Sequence, residues 1–227
     1  MTVTTTSLIR AAGAAAVAAG AVFIGVQIGH PQLSLTSIVT TDVFVRDCLK
    51  VLMAVLAVVG ISGMYLSQVR RNGVLGLVGY LVLAACYLLI MCTTFLTAFV
   101  LPTVAGSSPG YVKDLIALAT SRGTITGDLG ALATIWHVQD FSFLAGGLLF
   151  GIALYRAGVL ARWASALLAL GGVISAALSL MPDAFYRLLA FPNGIAMIGL
   201  GVSLWLSQRN VPAAETDTSS VDVVAVR

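Results

Sequence analysis

Six stretches of this chain run for about twenty residues each with hardly a charge, and no other feature limits its fold as tightly. The run VLMAVLAVVGISGMYL (51–66) shows the type. About 20 apolar residues, rising 1.5 Å each, cross about 30 Å of hydrocarbon. Backbone in lipid must satisfy its own N–H and C=O groups, which leaves helices or closed barrels. Barrel strands would alternate apolar and polar residues in segments of about ten, and these runs do not alternate. Composition agrees: the chain is 59% hydrophobic and 9% charged, with a mean hydropathy of +1.02, too apolar for an ordinary soluble domain. The predicted fold is all-α, an integral membrane bundle of six transmembrane helices. They are placed at about 8–28, 49–67, 74–101, 129–155, 163–181 and 188–207. Residues 1–209 form the bundle, and the polar stretch 210–227 reads as a disordered cytoplasmic tail. The first run follows Arg10 and has no clear small-residue cleavage site, so it reads as an uncleaved helix rather than a signal peptide.

With six spans both termini share one side. Arg10, Arg70, Arg71, Arg156, Arg162 and Arg209 fall there, against Arg46, Lys50, Lys113, Arg122 and Arg187 on the other side, and what tips the balance is that the first set crowds two very short loops, VRRNG and YRAGVLARW. The positive-inside tendency therefore puts both termini in the cytoplasm of a multi-pass cell-membrane protein. The longer connections, about 29–48 and 102–128, then face outward, and YVKDLIALA within the second suits a short amphipathic helix. The segment GISGMYLSQ (60–68) returns as LGVSLWLSQ (200–208), with Tyr65 matched by Trp205. Such repetition is what three tandem helical hairpins would leave, although an inner interface also selects an aromatic followed by a cation. Gly147 and Gly151 form a GxxxG pair suited to close helix packing. Cys48, Cys86 and Cys92 fall in or beside apolar runs without metal-type spacing, so they read as small apolar residues, and neither a metal nor a cofactor is expected. A net charge of +3, dispersed along the chain, gives no basis for nucleic-acid binding.

The stretch ATIWHVQDFSF (133–143) places His137, Gln139 and Asp140 just ahead of a glycine-rich apolar run. From Arg156 up to Asp140 is roughly 24 Å of helix, which puts Asp140 in the outer third of the hydrocarbon if Arg156 marks the inner boundary. The same ruler brings Gln27, Tyr87 and Asn193 to a similar depth, with His30, Arg46, Asp47, Asp128, Asp183 and Arg187 above them. The lower half has almost nothing polar beyond small hydroxyls. An outward-opening polar pocket over a dry base is the expectation. A carboxyl at that depth is costly unless protonated or paired, so Asp140 tuned by His137 is the candidate catalytic acid. Gln27, Tyr87, Trp136, Asn193, Arg187 and Arg46 are the candidate ligand-binding residues. An Asp140 that pairs with Arg187 or Arg46 and only pins two helices together is the competing structural reading.

The run HPQ…VTTDVF, with GMYLSQVRRNGVLGLVGY, AFVLPTVA and GGLLFGIALYRAGVLARWASALLA, resembles a family of six-helix actinobacterial integral membrane proteins, largely uncharacterised. The resemblance covers the chain nearly to Arg209 and implies a fold but no catalytic residues. In size the chain is similar to compact membrane-embedded terpene cyclases, which protonate a polyprenyl substrate with an intramembrane carboxylic acid; no residue motif is shared. Two functions follow as expectations. One is an enzyme or binder for a lipophilic, isoprenoid-like small molecule that enters from membrane lipid. The other is a small-solute or proton-coupled transporter, or an accessory membrane subunit.

Overall fold

The computed structural model describes residues 4–179, 188 and 190–208. Arg187, Asp183 and the 210–227 segment, all named above, lie outside the described residues. The elements are α1 (Thr5–Gly25), α2 (Thr41–Leu66), α3 (Val69–Phe95), a π-helical turn (Leu96–Val100), α4 (Leu101–Val104), α5 (Pro109–Thr120), α6 (Ala131–Ala157), α7 (Arg162–Ser179) and α8 (Ala190–Ser207). Among the described residues there is no strand.

Among the described residues five helices are long and apolar enough to cross a membrane: α1, α2, the helical stretch Val69–Val104, α6 and α8. The apolar part of α7 described by its side chains, Arg162–Ile174, is shorter. The boundaries are written locally. Thr4 and Ser7 form a reciprocal cap, Ser7 N–H donating to Thr4 Oγ1 at 3.2 Å and Thr4 N–H to Ser7 Oγ at 3.1 Å. Thr40 caps α2. Gly158, at φ 64°, ends α6 in the left-handed conformation that costs glycine nothing.

The long helices pack as a closed ring, each against its chain neighbour and α8 against α1. Neighbours run antiparallel, as residue pairs along each seam show: Ala16 faces Gly60, Leu83 faces Gly146, and Gly13 faces Gly201. In lipid no hydrophobic force would act between helices, and close backbone approach is what would hold the seams. A Cβ on Gly201 would lie 2.6 Å from the Gly13 carbonyl oxygen, and one on Gly13 would lie 2.9 Å from that of Gly201. The Gly147/Gly151 pair is spent in the same way, against Leu168 and Ala169 of α7. Below mid-height the ring is filled by Met53, Ile61, Met64, Leu83, Phe150 and Leu200, all buried.

At the other end sits a cap. The stretch Val69–Val104 is kinked at Gly73 (φ 58°, ψ −162°); from residue 74 onward it is about 46 Å long and so exceeds the thickness of a bilayer's hydrocarbon layer. Its far end joins α5, residues 33–43 and the start of α6 around a second core of Ile38, Val43, Leu101, Val112, Leu115, Leu118, Leu129 and Trp136. The amphipathic segment expected on the outer surface is thus α5, folded onto the bundle rather than lying free. The Asp114 carboxylate of α5 holds the α5–α6 loop. It accepts from Gly127 N–H at 2.7 Å and Thr126 N–H at 3.1 Å. These backbone bonds, that of Thr126 foremost, hold its pKa below the ordinary carboxylate value. A depressed folded-state pKa stabilises at any pH above the unfolded value of about 3.9 and is lost as pH falls through the lower folded one. Asp114→Asn is therefore expected to raise amide hydrogen exchange at Thr126 and Gly127 on the order of tenfold at neutral pH. The difference from wild type should vanish in strong acid; equal exchange at pH 7 would refute the clamp.

Candidate functional site

Between the cap and the dry core lies a cavity of about 700 Å³. Its lining comes from every element at that end: Gln27, His30, Gln32 and Leu33 after α1; Asp47 and Lys50 of α2; Ile90, Thr93, Thr94 and Thr97 around the π turn; Ile116, Ala119, Thr120 and Arg122 from the cap; Trp136 and Gln139 of α6. The π turn matters here. An extra residue per turn shifts the helix phase, and such turns recur at functional positions. This one follows directly on Thr93 and Thr94 and contains Thr97.

The polar centre is a three-residue cluster. Lys50 Nζ donates to Asp47 Oδ1 at 2.7 Å, with the carboxylate side chain 3% exposed. Lys50 Nζ is also 3.1 Å from His30 Nε2. His30 Nδ1 lies 2.7 Å from the Pro31 carbonyl oxygen, which can only accept. Nδ1 therefore carries the proton, and Nε2 is the lone pair that takes a Lys50 N–H. The tautomer is set by geometry: a neutral imidazole and a carboxylate hold one ammonium from two sides. Across the cavity, Thr93 Oγ1 donates to Gln139 Oε1 at 2.8 Å, and Cys86 Sγ–H donates to the Gln139 backbone carbonyl at 3.4 Å. These bonds lock α3 to α6 at cavity level.

The sequence-derived candidates divide sharply. Gln27 and Trp136 line the cavity. Tyr87 is fully buried beneath it, its ring edge-on to Phe143 at 6.5 Å. Asn193 is buried where α8 meets Gly171 of α7, and it is not in the lining. Arg46 instead closes the end of α1. Its Nη1 donates to the Val26 and Ile28 carbonyls, each at 2.9 Å, while Nε pairs with Asp42 at 3.0 Å. A cation there complements the negative end of a helix. His137 and Asp140 are exposed, as are their neighbours Val138 and Phe141, and neither lines the cavity. On α6 the cavity is lined by Trp136 and Gln139, three residues apart and so neighbours on the helix surface.

Asp47, Lys50 and His30 carry the site, although the sequence reading used them only for depth and orientation. A signal was present. In VFVRDCLKVLMAVLA, Asp47 and Lys50 sit one turn apart in an apolar run, and Val43, Asp47, Ala54, Ala57 and Ile61 mark the buried stripe of α2. Phasing that stripe puts the carboxylate inside. His30 arrives from a loop, and nothing in its local spacing announces the contact.

Family models, curated proteins and solved structures were each compared with the chain, and none matches it. What fold and site define together is a class: an all-helical bundle with membrane-length apolar helices and a capped polar cavity at one end.

Proposed function

We propose that this is a six-span membrane protein with both termini in the cytoplasm, whose capped cavity opens outward and binds an amphiphilic small molecule, isoprenoid-like in its apolar part. The polar end of the ligand lies against Lys50, Asp47 and His30, and Trp136, Ile90 and Ile116 contact its apolar portion. The observation that carries this reading is a cavity of about 700 Å³ with a buried ion pair on one wall. Its volume falls in the range of sites that enclose small organic molecules. Acid–base work on such a ligand falls to the cluster of Lys50, Asp47 and His30, which faces the cavity, in place of Asp140 and His137. The test is native mass spectrometry of protein extracted in a mild nonionic detergent. A bound amphiphile is expected in the wild type. It should be displaced in Ala119→Phe, which fills the cavity from the cap without touching the bundle core. Identical spectra for the two proteins would end this reading.

Proton-coupled transport is the second reading, favoured by the same charge cluster, since ionisable groups within membrane-spanning helices often lie on proton and ion pathways. Against it stands the packed core of Met53, Leu83, Tyr87 and Phe150 below the cavity. Uptake driven by a pH gradient in proteoliposomes would decide for transport, and its absence decides for binding.

A further inference from the structure

An ammonium group has three N–H donors and no acceptor. Lys50 uses one on Asp47 and one on His30, leaving the third for the cavity it lines. Gln139 spends its amide oxygen on Thr93, and its amide N–H₂ meets no protein acceptor among the described residues. Arg122 brings a guanidinium from the cap into the same lining. Lys50 of α2, Gln139 of α6 and Arg122 of the cap thus bring donor groups to one cavity, which Asp47 also lines. A planar carboxylate presents two oxygens, mostly to one side. A tetrahedral phosphate presents several in different directions and, as a monoanion, keeps one hydroxyl that the second Asp47 oxygen can accept. Charge-assisted bonds of this kind are short and strong.

We propose that the cavity recognises a phosphate monoester, with Lys50 and Gln139 donating to its oxygens and the Arg122 guanidinium adding positive charge from the cap. This rests on the reading of the cavity as an amphiphile site and names the head group that it selects. The third Lys50 donor and the amide of Gln139 are the decisive groups, because both are held in place by their other bonds. The ligand source is either an amphiphile carrying the phosphate or a free phosphate ion.

The experiment is isothermal titration calorimetry of the full chain in a nonionic detergent, with dodecyl phosphate, dodecanol and inorganic phosphate as probes. Dodecyl phosphate is expected to bind at least about tenfold more tightly than dodecanol, as one added charge-assisted contact would give. Gln139→Leu should lose about tenfold for the phosphate and little for the alcohol. The double variant Asp47→Leu/Lys50→Met, which removes the ion pair without stranding a charge, should abolish the preference. Equal binding of alcohol and phosphate overturns the phosphate inference while leaving amphiphile binding intact. No binding of either amphiphile overturns both. Inorganic phosphate that binds alone as tightly as dodecyl phosphate supports the head-group chemistry and assigns the site to a free ion.

Discussion

Lys50→Met is expected to destabilise the protein by about 3–5 kcal/mol, because it strands a carboxylate in a site with almost no access to water. Among the described residues Lys50 is the one cation paired with Asp47, at 2.7 Å, and the Asp47 side chain is 3% exposed. Moving to Asp47→Leu/Lys50→Met should recover most of that loss. Two apolar side chains of similar bulk replace a pair whose attraction was largely offset by desolvation. The single and double variants therefore separate two quantities that a single substitution confounds. Stability should return in the double variant while ligand recognition does not. Reversible unfolding in mixed micelles measures the first quantity and calorimetry the second. A single variant as stable as wild type would show that Asp47 is not held as described.

The second large effect lies at the α1–α8 seam. Gly201→Val places a β-branched side chain where even a bare Cβ would meet the Gly13 carbonyl oxygen at 2.6 Å and Val17 N at 2.8 Å. Backbone on the opposing helix cannot rotate aside, so the helices must part. Overpacking in cores typically costs about 1–3 kcal/mol, occasionally more. Here the upper end is expected, since contact along the whole seam depends on the separation that glycine permits. Gly106→Val is the control, with nothing within 4 Å of the added Cβ. It should leave the unfolding midpoint unchanged. Comparable losses in both variants would mean that the cost is conformational rather than steric.

The bundle was legible in the sequence because lipid imposes so few solutions on long apolar runs. Helices α1, α6 and α8 and the helical stretch Val69–Val104 overlap the apolar runs expected to span, whereas α2 begins at Thr41, inside the stretch expected as a loop, and the Gly147/Gly151 pair works in helix packing as its spacing suggests. The cap was less legible. Its core joins Ile38 and Val43 with Leu101, Val112 and Leu118, and no local period reports a partnership between segments so distant in the chain. At the site, a depth ruler alone was misleading. It ranks residues by height along a helix and takes no account of what each one faces, so it selects the exposed Asp140 and passes over Gln139, which lines the cavity. Adding the buried stripe of each helix corrects this and promotes Asp47. The neutral tautomer of His30 was out of reach in any sequence reading, since it depends on a carbonyl and an ammonium from separate elements.

The meeting of the first and last helices has a consequence for how such a chain is made. Gly13 and Gly20 face Gly201 and Gly194, partners so much later in the chain that they leave the ribosome long after α1. Until then the nascent protein is an open arc, with one flank of α1 uncovered. Shutting the circle awaits α8, so a defect in α8 would be felt along the whole length of α1.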